Sequence, residues 1–230
     1  MRGFFITGTD TGVGKTWVAA AVLHALARKG VKTVGMKPVA SGALATPDGL
    51  RNHDALQLQA AASLPRPYAL VNPYAFVPPI APHLAAAETG ATIALPRILE
   101  SFRQLCEGAD AVVVEGVGGW QVPLGDSWGV PELAGALGLP VILVVGLRLG
   151  CLNHARLSAR AIQADGLRLA GWVANSIDPG FERRAENLAT LAQSLSAPPV
   201  GDIPWRPGST LEERAAGFDI GKILGLLNAD

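Results

Sequence analysis

Short unbroken apolar runs alternate with longer stretches in which apolar residues recur at helical spacing, predicting strands and helices in turn. Phe4-Phe5-Ile6-Thr7 reads as a first strand, and residues 17–29, rich in Ala and Leu, as a helix closed by Gly30. Residues 31–36 read as a second short strand, ending at Lys37-Pro38. A polar, glycine-containing stretch covers 41–53, and a helix is expected over 54–62. Six prolines between positions 65 and 82 predict irregular surface or site-forming structure, because proline excludes regular ladders. Helices are expected over 83–88 and 95–106.

Ala111-Val112-Val113-Val114-Glu115 has the continuous apolar character of a strand covered on both faces, as in a parallel sheet, and 116–119 turns out of it. Next come a helix over 129–137, a strand over 141–145, a helix over 153–163 and a strand over 169–175. A helix over 182–195, a strand over 199–203 and helices over 211–218 and 220–227 follow. Strands and helices alternate without a linker, repeat or low-complexity tract. One α/β domain over 1–230 is expected, with ligand-type residues at strand C-terminal ends, where open α/β sheets bind.

The first strand runs directly into Gly8-Thr9-Asp10-Thr11-Gly12-Val13-Gly14-Lys15-Thr16, with a helix beginning near Thr16. Strand, glycine-rich turn and helix start form the setting of a phosphate cradle. Backbone amides face phosphate oxygens, Lys15 reaches the β/γ side, and the Thr16 hydroxyl is available to Mg²⁺. Five residues separate Gly8 from Gly14, where the common pattern has four and would begin at Thr9. A nucleotide site on a three-layer P-loop NTPase-like fold with a mainly parallel central sheet is the expectation, with an unusual loop.

Composition removes several other classes. Hydrophobic residues make up 49% of the 230-residue chain and charged residues 17%, as in a folded globule. Nineteen basic and 19 acidic residues give a formal net charge of zero, so no basic stripe recommends a nucleic-acid surface. The low charge makes self-association worth expecting. No apolar run approaches the length of a membrane span, and the N-terminus lacks a signal-peptide layout. Cys106 and Cys151 lack metal-ligand spacing and read as buried thiols of a reducing compartment. A cytoplasmic location is the expectation.

Further chemistry sits at strand ends. Glu115 is placed to bind Mg²⁺ directly or through water; the alternative is an acid capping a neighbouring helix. Asp54 is a second hard oxygen ligand by type, or equally an N-cap residue. Lys37 offers a second fixed cation to transferring phosphoryl oxygens, against the alternative of a solvated lysine before proline. Ser41 is a possible hydroxyl donor to substrate. His24, His53, His83 and His154 show no zinc spacing, and no Ser/His/Asp arrangement is legible. Trp120 and Trp205 can wall a pocket or simply pack.

The chain resembles the dethiobiotin synthetase family. The resemblance is carried by the loop from Gly8 to Thr16 and by Lys37-Pro38-Val39-Ala40-Ser41-Gly42. It continues in Asn72-Pro73-Tyr74-Ala75-Phe76, Pro78-Pro79-Ile80-Ala81-Pro82-His83 and Glu115-Gly116-Val117-Gly118-Gly119-Trp120. Gly150-Cys151-Leu152-Asn153-His154 and Val173-Ala174-Asn175-Ser176 complete it, and the long gap between the loop glycines is what this family looks like.

Carried over, the resemblance implies that Gly12, Val13, Gly14, Lys15, Thr16 and Trp17 hold the phosphates of ATP. Thr16, Asp54 and Glu115 would form the Mg²⁺ environment, and Lys37 would be the active-site lysine with Lys15. Gly116, Val117 and Gly118 would border the nucleotide. Asn175 looks like the adenine reader, with Ser176, the Pro204-Trp205-Arg206 segment and Glu212 beside it. Thr11 and Ser41 would contact the diamine. In the family the active site lies at a homodimer interface, so Gly150, Cys151, Leu152 and Asn153 of one subunit would receive the carboxylate of substrate bound by the other. A helix N-terminus suits that role. Some members carry Glu where this chain has Gly12.

The implied reaction is ATP-dependent formation of dethiobiotin from 7,8-diaminononanoate and CO₂, through a carbamate and a carbamic-phosphoric anhydride. The alternatives are a related P-loop ATPase or amide synthase, or a partner-regulated ParA-like ATPase. Neither would share the 72–83 block.

Overall fold

The structure is a computed structural model, and it describes residues 1–228. Strand β1 (Gly3–Gly8) leads through the glycine loop into α1 (Lys15–Ala27), followed by β2 (Thr33–Met36). An insert then contributes β3 (Val39–Ser41), β4 (Leu44–Thr46), β5 (Gly49–Arg51), α2 (His53–Ala61), α3 (Tyr68–Val71), β6 (Tyr74–Phe76) and α4 (Pro82–Glu88). The alternating pattern resumes with α5 (Leu95–Leu105), β7 (Ala111–Glu115), α6 (Val130–Leu137), β8 (Val141–Leu147), α7 (Cys151–Ala164) and β9 (Leu169–Ser176). Elements α8 (Arg184–Ser194), β10 (Pro199–Ile203), α9 (Leu211–Ala215) and α10 (Ile220–Asn228) follow.

Six strands form one parallel sheet in the order β10-β9-β8-β1-β7-β2. Successive strand side chains point to opposite faces, which divides the core into two layers. Phe5, Val112, Val114, Leu143 and Val145 join one cluster, which also takes in buried residues of α5, α6, α7 and α8. Phe4, Ile6, Val113, Ile142 and Val144 join the other, with residues of α1, α2 and α10. The sheet therefore lies between two helical layers, and its strands are apolar throughout because both faces are covered. Helix α1 buries Val18, Leu23 and Leu26 together with four consecutive small or β-branched residues, Ala19 to Val22, so it packs on more than one side.

The insert is more ordered than its composition predicts. The polar stretch over 41–53 contains the antiparallel β4–β5 pair, in which Ala45 faces Leu50. Inside the proline-rich segment, β6 pairs in parallel with β3, Val39 opposite Tyr74. Tyr74-Ala75-Phe76 is free of proline, and burial of Tyr74 and Phe76 with Ala75 less covered gives the alternation of a strand. Helix α7 begins two residues before the expected start, after Gly150 in the left-handed region (φ 94°). Among the described residues, no helix is long and apolar enough to cross a membrane. Both cysteines are free and buried.

Candidate active site

Parallel strands place all their C-terminal ends along one edge, so the order β1-β7-β2 decides which chain segments meet there. The loop after β1, Glu115 at the end of β7 and Lys37 just past β2 become neighbours. Ile6 is in register with Glu115, and Val114 with Met36.

Glu115 is the hub. Lys37 Nζ donates to Glu115 Oε1 at 2.6 Å and to the Gly116 carbonyl oxygen at 3.0 Å, and lies 3.2 Å from Asp54 Oδ2. The Thr16 hydroxyl donates to the same Glu115 Oε1 at 2.9 Å. Glu115 and Lys37 are both almost wholly buried. Asp54 belongs to the first turn of α2; the N-cap is Asn52, whose Oδ1 accepts from the amides of Asp54 and Ala55. The cap therefore frees the Asp54 carboxylate, 37% exposed, to face Lys37.

Electrostatics follow from burial and proximity. Burial alone would lower the Lys37 pKa, but Glu115 and Asp54 outweigh it and raise it above the ordinary lysine value. Burial lifts the Glu115 carboxyl, Asp54 adds to the rise, and Lys37 and Lys15 oppose it. The Lys37 shift favours the ion pair and the Glu115 shift opposes it. The 2.6 Å contact and the second acid on Lys37 decide for a charged lysine. Lys15 is brought down to about 8, first by burial and then by nearby Lys37. Its Nζ donates to the Asp10 carbonyl oxygen at 2.8 Å, so it rests against its own loop.

A cleft of about 760 Å³ opens above these groups. Its floor is the glycine loop with Lys15, Thr16, Lys37 and Glu115; Trp17, Val117 and Gly118 border it, and Pro79 to Pro82 form a further wall. Thr11, Gly12, Gly14, Ser41 and Asp54 also line it. Ser41 Oγ is buried there without a hydrogen-bond partner, as is Glu115 Oε2.

The residues suit a hard divalent cation. Glu115 has an orphaned buried oxygen, Thr16 a hydroxyl beside it and Asp54 a carboxylate across Lys37. Among the described residues, no cluster of three or more His, Cys, Asp or Glu side chains could hold a metal. Mg²⁺ needs none, since it is held by one or two carboxylates plus phosphate oxygens and water.

Several expected contacts lie elsewhere in this single chain. Asn175, next to last in β9, lies behind the cradle, where Nδ2 donates to the Val13 carbonyl oxygen at 2.7 Å. A Cβ on Gly14, which has φ 90°, would stand 2.2 Å from that nitrogen. Ser176 accepts from Arg184 Nε at 3.0 Å. Pro204, Trp205 and Arg206 are exposed in the connection after β10, and Glu212 in α9 is also at the surface. That helix reaches the loop region through Arg214, which stacks 4.4 Å over the Trp17 ring. Gly150, Cys151, Leu152 and Asn153 start α7 with no side-chain cap and do not line the cleft of their own chain.

Sequence reasoning missed Asp10 and Arg148. Asp10 accepts from the Thr11 amide at 2.7 Å and from Arg148 Nη2 at 2.5 Å, tying the loop to the segment before α7. An aspartate and an arginine separated by most of the chain carry no local signal of pairing. Trp120 is buried against Phe5, edge to face, with Nε1 donating to Asp165 at 2.6 Å. It braces the turn after Glu115 and does not wall the cleft.

A family model described as an AAA domain matches residues 2–213. The ATP-dependent dethiobiotin synthetase of Xanthomonas axonopodis pv. citri (strain 306) is 55% identical over 217 residues, covering 94% of this chain and 97% of that protein. The protein of the same name from Xylella fastidiosa (strain Temecula1) is 55% identical over 207 residues, covering 90% and 92%. Among solved structures, the MinC:MinD cell division complex of Aquifex aeolicus aligns with a TM-score of 0.57 at 16% identity, covering 94% of this chain and 86% of that one. A ParA family ATPase from Chlorobium tepidum gives 0.54 at 14% identity, covering 97% and 93%. Those two likenesses establish a shared P-loop NTPase-like fold. With its match along nearly the whole length of curated relatives, the chain belongs to the ATP-dependent dethiobiotin synthetase family.

Proposed function

We propose that the protein forms dethiobiotin from 7,8-diaminononanoate, CO₂ and ATP, releasing ADP and phosphate. The observation that carries this reading is the meeting of Lys15, Lys37, Thr16, Asp54 and Glu115 at the floor of one cleft, beside the unpartnered Ser41 hydroxyl.

One amine of the substrate, as the free base, adds to CO₂ and loses a proton to become a carbamate. A carbamate oxygen attacks the γ-phosphorus and ADP leaves. The second amine attacks the carbonyl carbon of the resulting mixed anhydride, phosphate leaves, and the five-membered ureido ring closes. Lys15 leaves the Asp10 carbonyl to meet the β/γ oxygens, and Lys37 neutralises charge gathering on the transferring group. Amides of the loop hold that group in line with the attacking oxygen. Thr16, Asp54 and Glu115 would hold Mg²⁺, which when bound would neutralise charge on the phosphate oxygens. Ser41 and Thr11 orient the diamine, and the 79–82 wall limits water. Asn175, with Ser176, Glu212 and the 204–206 segment, serves the adenine end. No side chain is assigned as general base.

The working unit in this reading is a homodimer. The uncapped start of α7, unused in its own cleft, supports a role as carboxylate site for a partner copy, and adjacent Leu149 is 93% exposed. Phosphate release from Mg-ATP, measured with and without the diamine plus bicarbonate, tests the function, with mass detection of dethiobiotin. Diamine-independent hydrolysis would turn the reading toward a partner-regulated ATPase.

A further inference from the structure

Behind the cleft floor, three side chains that do not line it share a chain of hydrogen bonds. The Tyr68 hydroxyl donates to Asn72 Oδ1 at 2.9 Å and accepts from the Asn52 backbone amide at 2.7 Å. Asn72 Nδ2 donates to the carbonyl oxygens of Lys37 at 2.6 Å and Tyr74 at 3.0 Å. Asn52 Nδ2 reaches the Ser41 carbonyl oxygen at 3.3 Å, while its Oδ1 caps α2 through the amides of Asp54 and Ala55. Asn52 and Asn72 are each about 95% buried, and Arg51 stacks 4.3 Å over the Tyr68 ring.

Among the backbones held this way, those of Lys37, Ser41 and Asp54 belong to residues that line the cleft. They come from just past β2, from β3 and from the first turn of α2, and no ladder of the main sheet joins all three. The glycine loop is held by other contacts, those of Asn175 with Val13 and of Asp10 with Arg148. We infer that Asn52, Tyr68 and Asn72 are positioning residues that hold Lys37, Ser41 and Asp54 in place independently of the glycine loop, with the Tyr68 hydroxyl as their junction. A buried network of this kind fixes geometry because each member would otherwise be an unsatisfied polar group.

Given the diamine substrate proposed above, on which the kinetic part of this role rests, Tyr68→Phe in the full chain is the direct test. Expected are a KM for the diamine raised about tenfold and a kcat lowered about tenfold, with affinity for ATP in the absence of Mg²⁺, which reads the glycine loop alone, within about twofold of wild type. Amide exchange should quicken over residues 37–41 and 52–55 and stay unchanged over 9–16. Leu191→Ala, in the core far from the network, should lower the melting temperature without moving either KM. If Tyr68→Phe folds poorly, Asn52→Asp keeps the helix cap, removes the donor to Ser41 and should raise the diamine KM alone. A melting shift with unchanged kinetics and evenly quickened exchange would overturn the role. If the wild-type protein forms no dethiobiotin, the functional reading fails by itself, and the exchange pattern still decides the network.

Discussion

Lys37 Nζ lies 2.6 Å from Glu115 Oε1, with both side chains almost wholly removed from water, although 78 residues separate them. Removing one partner from such a pair leaves an uncompensated buried charge. Lys37→Met should abolish dethiobiotin formation, a loss of at least about 10²–10³ in kcat, by removing a cation from the transferring group. It should also cost about 3–5 kcal/mol in denaturant unfolding. Glu115→Gln added to Lys37→Met should recover much of the stability and none of the activity. Near-normal turnover in Lys37→Met would sink the assignment.

The Asn175 amide supports the cradle from behind by donating to the Val13 carbonyl oxygen, and its nitrogen occupies the space a side chain on Gly14 would enter. Gly14→Ala adds a Cβ 2.2 Å from Asn175 Nδ2 at a backbone with φ 90°. A strain of about 1–3 kcal/mol is expected, weakening ATP binding by about tenfold or more. Combining it with Asn175→Gly removes the clash and keeps the backbone strain, so the pair of changes should cost less than their sum. Strict additivity in titration calorimetry would show that the two residues do not press on one another.

Leu149 is the most exposed of the large apolar side chains and precedes the start of α7. If a second copy covers it, Leu149→Asp should yield a monomer by light scattering and raise the diamine KM, while Mg-ATP still binds. A fully active monomeric wild type would rule out the shared site.

Burial pushes the Cys106 thiol up to about 11, against the smaller opposing effects of the N-terminal ammonium and Arg66. At pH 8 its thiolate fraction should be roughly two orders of magnitude below that of a free cysteine. Alkylation of the folded protein should be correspondingly slow and rise about tenfold per pH unit to near pH 10. The sign for stability is set by the same shift. The unfolded chain releases this proton first, so stability falls as pH climbs from about 9 toward 11. Cys106→Ala should flatten that part of a pH–stability curve; an unchanged slope would assign it to other groups.

Much of this was legible along the chain. Continuous apolar runs such as Ala111 to Val114 announced a parallel sheet, because a strand covered on both faces has no polar side to show. The Gly8-to-Thr16 stretch announced a phosphate cradle, because strand, turn and helix there are contiguous. Local pattern also placed Lys37 and Glu115 at strand ends. The β4–β5 pair and β6 escaped notice, since strands of three residues are too short for a period to register. Asn52 escaped as a cap because Asp54 competes for the same role from two residues away.

What the sequence determined by itself is therefore each local piece: strands, helices, the loop and the residue types at their ends. Tertiary structure alone decided that β7 lies between β1 and β2, and so that Glu115 stands between Thr16 and Lys37. It also decided that Asp10 meets Arg148 and that Tyr68 joins Asn52 to Asn72. Periodicity reports which side of an element is buried. Strand order and long-range polar pairing depend on how the faces of different elements close over one another, and that is settled only when the whole core packs.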